Sequence, residues 1–333
     1  MAIEQLYQEL TALAQELGPR NDDDYKAFML KALELDQALQ DENEQDYKNL
    51  QSPATLKHIE FLTKLSQTAL DVNLQIIALR HLSLKHSNAI PKAGLSLEDS
   101  PLKESVEWSE KMLAHGDKIN SAFIFEQKHA QADWLSKLYA RRNNPLKVVN
   151  CLGNWLLAMA KCSFVVENPD SFFYAVTQLT AISRELPPHV TLESKEIKLL
   201  ILALVTSLKV SAKFSSVDPE GTAANDAGVL NVLALLLAKT PQREGQEPYF
   251  QQAAFLLKKS TNRVAASKTE GLKEKVEKAA DEIAGQYPQI NRYLSSSASY
   301  NPEALEQYLL QTREQIQQNA EDDLDFRNQC KMM

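Results

Sequence analysis

Glycine is scarce in this chain, with 9 among 333 residues, and the closest two, Gly221 and Gly228, are seven positions apart. That spacing excludes a phosphate-cradling P-loop, a dinucleotide-binding G-x-G-x-x-G and a G-x-S-x-G nucleophile elbow, all of which need two glycines closer together than seven positions. Cysteine is scarcer still. Three residues cannot build a disulfide framework, and Cys151 and Cys162 share one expected helix, so a reducing compartment suits them. There is no C-x-x-C and no H-E-x-x-H, and the six histidines are scattered, so neither a metal site nor a cofactor is expected. The N-terminus lacks the basic and apolar blocks of a secretory leader. The uncharged run between Lys198 and Lys209 holds ten residues, about half of the roughly 20 that a bilayer-spanning helix needs. A cytoplasmic protein without a transmembrane segment is the expectation. Strand-like alternation is missing as well; even Ser163 to Glu167 continues a helical pattern begun at Leu146.

What is present is helical. Hydrophobic residues make up 44% of the chain, enough for a sizeable core. Ile3, Leu6, Leu10, Leu13 and Leu17 alternate spacings of three and four, a narrow seam for a neighbouring helix, and Gly18-Pro19 ends it. Asn21 followed by Asp22, Asp23 and Asp24 opens a second helix, because carboxylates favour the positive end of the dipole. Six pairs repeat one device, a capping residue before proline: Ser52-Pro53, Ser100-Pro101, Asn144-Pro145, Asn168-Pro169, Thr240-Pro241 and Asn301-Pro302. The cap oxygen takes an orphan N–H, and proline's missing donor costs nothing at the first helical position.

Further helices are expected near 53–70, 72–87, 101–115, 117–141, 145–166, 169–185, 191–214, 226–239, 247–259, 264–285, 288–296 and 302–319. Ile197 and the run Leu199 to Val205 put apolar side chains on every helical face, so the helix at 191–214 is expected to be enclosed on all sides. The residues from Ser215 to Asp226, with Asp218-Pro219 and Gly221, read as a loop. The recurring prolines fall 43 to 53 residues apart, near the two-helix period of HEAT-like arrays. The fold class is therefore all-α, either stacked antiparallel helical hairpins in an α-solenoid or a multi-helix bundle. Pro91 and Gly94 suggest a division into residues 1–90, a main array over 100–300 and a C-terminal helix and tail over 301–333.

Net charge is −8, which argues against a nucleic-acid partner. The charge is uneven: −9 through Asp46, −4 from Tyr300 onward, and +5 between them. Lys258, Lys259, Arg263 and Lys268 surround an expected turn, with no acid between Glu247 and Glu270. They are the candidate site for a phosphate, an anionic lipid head group or an acidic partner.

The last fifteen residues, Asn319 to Met333, carry an acidic block of Glu321, Asp322, Asp323 and Asp325. This tail resembles the C-terminal translocation signals of effectors exported by Dot/Icm-type type IV secretion systems. The resemblance implies delivery into a host-cell cytosol, with host proteins or membranes as targets, and nothing about fold or chemistry.

With no catalytic constellation legible, the expected function is a protein–protein interaction scaffold or adaptor. The alternatives are a peripheral membrane or phosphoinositide binder using the four basic residues, and an enzyme of an unfamiliar all-helical type.

Overall fold

The computed structural model describes residues 3–90, 96–99, 101–115, 119–166, 169–187, 194–239 and 247–294. Every regular element among them is helical, so the protein is all-α. Two compact units divide the chain, Met1–Leu135 and Ser136–Met333.

The first unit holds α1 (Ile3–Gln15), α2 (Asp22–Glu42), α3 (Glu44–Lys48), α4 (Pro53–Thr68), α5 (Val72–Asn88), α6 (Leu102–Ala114) and most of α7 (Ala122–Arg141). Helices α5 and α6, on either side of the 88–99 segment, both belong to it. The seam on α1 buries Leu6 and Leu10 as its spacing requires, and Leu17 lies beyond the helix end and is exposed. Asn21 caps α2 in a full capping box with Asp24, and Ser52 caps α4 ahead of Pro53. The polar stretch after Leu39 splits: α2 runs on to Glu42, and Asn43 closes it while capping α3.

Helix α5 is the centre of this unit, packed against α2, α4 and α6. It buries Leu74, Ile76, Ile77, Leu79 and Leu82, and also the polar Asn73, His81, Ser83, Lys85 and His86. Asn73, His81, Ser83 and Lys85 find hydrogen-bond partners on neighbouring elements, and His86 lies 2.6 Å from the Glu104 carboxylate. Ser83 meets Ser109 at 2.7 Å, and the Gln131 amide donates to Ser109 at 2.6 Å. The Lys128 ammonium, 1% exposed, donates to the carbonyls of Leu113 and His115, where a cation satisfies the last orphan groups of α6.

The second unit holds α8 (Pro145–Ala160), a 3₁₀ turn (Ser163–Val166), α9 (Pro169–Arg184), α10 (Lys195–Ser211), α11 (Pro219–Ala238), α12 (Glu247–Arg263), α13 (Leu272–Gln286) and α14 (Pro288–Leu294). Helix α8 packs on α9 and α10, α9 on α11, and α11 on α12 and α13. A Cβ at Gly153 of α8 would stand 3.2 Å from the Leu199 side chain of α10; this close approach accounts for a glycine inside a helix.

Three sequence expectations change here. The loop expected at 215–226 is helix from Pro219, because Asp218 caps it by accepting from the Gly221 N–H. The helix expected over 264–285 begins only at Leu272, after Gly271 at φ +71°. The helix enclosed on all sides is α11, in which every residue from Val229 to Ala238 is buried, whereas α10 leaves Leu202, Val205 and Leu208 half-buried. By length and composition α11 could also cross a membrane; in this fold its second half is covered by protein.

Candidate functional site

In the first unit the densest chemistry surrounds Asp36 of α2. His58 Nε2 of α4 lies 2.9 Å from its Oδ1, and His81 Nδ1 of α5 lies 3.2 Å from its Oδ2. Tyr47 of α3 donates its hydroxyl to Oδ1 at 3.1 Å, and Tyr7 of α1 meets the other nitrogen of His58 at 3.4 Å. The Lys85 ammonium stands 3.0 Å above the Tyr47 ring centroid and donates to the Tyr47 carbonyl at 2.6 Å. One carboxylate thus ties α2 to three other helices.

Burial alone would push the Asp36 carboxyl up, but the hydrogen bonds from His58 and His81 outweigh it and hold the group well below the usual carboxylate range. Burial, with the Asp36 charge adding to it, pushes both Tyr7 and Tyr47 far above their ordinary value. Burial draws Lys85 down to about 8, against a pull upward from Asp36.

Lys85 gives this cluster a pH signature. Between about pH 8 and 10 the unfolded chain keeps a proton on Lys85 that the folded chain has released, so stability rises with pH by up to about 3 kcal/mol. Above about pH 10 the trend reverses, because Tyr7 and Tyr47 stay protonated in the fold while the unfolded chain ionises them. Urea denaturation across pH 7–11 is expected to show that maximum, and Lys85→Met is expected to flatten its rising limb.

Asp36, His58 and His81 line none of the three cavities described in this unit. A pocket of about 230 Å³ is lined by Leu39, Asp46, Tyr47 and Thr55 but not by Asp36, His58 or His81. A larger groove of about 750 Å³ lies where the α1–α2 turn meets the start of α5. Its floor is polar and satisfied: Asn73 donates to Tyr25 and Asn120 at 2.8 Å each, and Tyr25 donates to Asp71 at 2.9 Å. Arg20, its side chain only 9% exposed, points to Asp71 and donates to the Leu13 carbonyl. The rim is apolar. Leu17, Leu70 and Val72 are 89%, 55% and 43% exposed, and all three line this groove together with Glu16 and Asp71. Asp24 stands beside Glu16 and Leu17 at the adjoining depression. Gly18, at φ +152° with open space around it, shapes the turn that carries Leu17.

In the second unit the four expected basic residues do not act as one free patch. Arg263 forms a two-pronged ion pair with Asp226, at 3.0 and 2.8 Å, and Asp226 also accepts from Ser211. Lys258 reaches the Tyr293 carbonyl. Beside Lys268 sits Glu220, whose carboxylate accepts from the Lys268 N–H and from the Ser267 and Thr269 hydroxyls. Lys259 is exposed. Cys162 is buried and Cys151 half-buried, and no group of three His, Cys, Asp or Glu able to hold a metal occurs among the described residues.

A second groove, of about 650 Å³, runs between α9, α11 and α13 and takes in Arg184, Lys275 and Lys278. Sequence reading missed it because its floor, Gly221, Ala224, Asn225 and Gly228 at i, i+3, i+4 and i+7, begins in the stretch read as a loop. Glu321, Asp322, Asp323 and Asp325 lie outside the described residues. No family model, curated protein or solved structure matches this chain.

Proposed function

We propose that this chain is a protein-binding module whose first unit takes an apolar, basic-flanked segment of a partner protein into the groove above Arg20. The observation that carries the reading is the convergence of Leu17, Leu70 and Val72 on one groove. Large apolar side chains left in water singly are ordinary; three around one concavity suit a docking surface. The floor beneath them is already hydrogen-bonded, so a ligand gains by covering the rim and leaves no floor group stranded. Glu16, Asp24 and Asp71 give the surroundings a negative sign and favour lysine or arginine flanking the apolar contacts.

A peptide library displayed on phage and selected on the whole protein tests this. Enriched peptides are expected to pair two or three large apolar residues with basic neighbours. Leu17→Asp with Leu70→Asp is expected to weaken them at least tenfold, the loss typical of central contacts, without lowering the melting temperature. Absence of enrichment, or peptides that bind the double variant equally well, would overturn the reading.

The anionic-surface alternative through Lys258, Lys259, Arg263 and Lys268 draws less support, since Arg263 is already neutralised by Asp226. An enzymatic reading draws least, because Asp36, His58 and His81 line none of the three cavities described in the first unit.

A further inference from the structure

We propose that the groove between α9, α11 and α13 binds a phosphate-bearing ligand, independently of the first unit. The argument is a count of donors against acceptors. Arg184 on α9 and Lys275 and Lys278 on α13 face the groove from two walls. All three are exposed, and none has a carboxylate within ion-pair distance among the described residues. In the third wall, α11, the amide nitrogen of Asn225 is buried with no acceptor. A buried donor without a partner is costly, and a ligand oxygen that accepted from it would remove that cost. Against these donors the groove lining carries one acid, Glu282.

Donors on three walls call for a ligand rich in acceptors and carrying more than one negative charge. A phosphate group is such a ligand, and arginine with lysine is the pairing that holds one. The floor is cut away where the ligand would lie: a Cβ built at Gly228 meets nothing within 4 Å. Gly221 has a different reason to be small, because its Cβ would collide with the capping Asp218 carboxylate. The volume, about 650 Å³, lies within the range of small-molecule sites.

Two probes separate a soluble phosphate ester from a lipid head group. Isothermal titration of the full chain with inorganic pyrophosphate is expected to show one saturable site. Sedimentation with phosphatidylcholine vesicles containing phosphatidylinositol phosphate reads the lipid arm. Vesicle binding that pyrophosphate displaces identifies a head group; pyrophosphate binding without vesicle binding identifies a soluble ligand.

In either arm Lys275→Glu with Lys278→Glu is expected to reduce affinity at least tenfold. Gly228→Leu, which leaves every charge in place and grows into open space, is expected to do the same by filling the floor. Lys258→Glu with Lys259→Glu, away from the groove lining, is expected to change it less than twofold. If neither probe binds, or if Gly228→Leu binds as the parent does, the groove is not the site; an equal loss in the Lys258/Lys259 variant would mean diffuse charge attraction only.

Discussion

Replacing Asp36 with alanine is expected to destabilise the first unit by about 3–5 kcal/mol, the cost of removing one partner from a buried, hydrogen-bonded ionic cluster. The carboxylate is the shared acceptor for His58, His81 and Tyr47. Its loss leaves three donors without their shared acceptor at a site only 18% exposed, with Lys85 beside them lacking its nearby counter-charge. Asparagine keeps the shape and one acceptor oxygen, so Asp36→Asn is expected to lose less. Because Asp36 titrates below its unfolded value, its contribution is present above about pH 4 and fades as the pH falls below that. The gap between Asp36→Ala and the parent protein should therefore close on acidification. Native-state hydrogen exchange of α2, α4 and α5 measures this for the first unit alone, as a chain of two units need not unfold in one step. An Asp36→Ala protein as stable as the parent at pH 7 would show that the cluster contributes nothing net.

Leu204→Ala is expected to cost about 3–5 kcal/mol, and Leu202→Ala, two residues earlier on the same helix, about 1 kcal/mol. Leu204 is 0% exposed, enclosed on α10 with Leu200 and Ala203; Leu202 keeps partial contact with water. The truncated side chains are chemically identical, so the difference isolates the cavity left behind and the area removed from water. Thermal denaturation followed by the fluorescence of Trp155, which is buried in the same unit, reads both variants. Equal losses would mean that α10 is packed on every face after all.

That pair marks how far one-dimensional reading reaches. Leu200, Leu202 and Leu204 are indistinguishable in sequence, and periodicity could say only that the run is helical and mostly buried. Caps were more informative. Asn21, Ser52 and Asn144 each begin a helix as their side chains require, since an N-cap acts on N–H groups two or three residues away and is a local event. Asp218-Pro219 carries the same signal. It was outweighed by Gly221, whose smallness answers the aspartate side chain that caps the helix.

The four basic residues illustrate the opposite limit. Lys258 to Lys268 form a local charge excess in sequence, but Asp226, 37 positions before Arg263, neutralises its guanidinium in space. Charge patterns that ignore the partner's helix overstate the free charge. The groove whose three cations meet no carboxylate among the described residues draws on Arg184 and on lysines about ninety residues later, which no window along the chain would have joined.

By itself the sequence determined that this protein is all-helical, where most of its helices begin, and which glycine and cysteine motifs it lacks, because propensity, capping and periodicity act over a few residues. Only the tertiary structure decided that Asp36, His58 and His81 meet, that Leu17, Leu70 and Val72 rim one groove, and that α11 rather than α10 is the enclosed helix. Those outcomes depend on which helix faces which, a property set by packing between segments tens of residues apart.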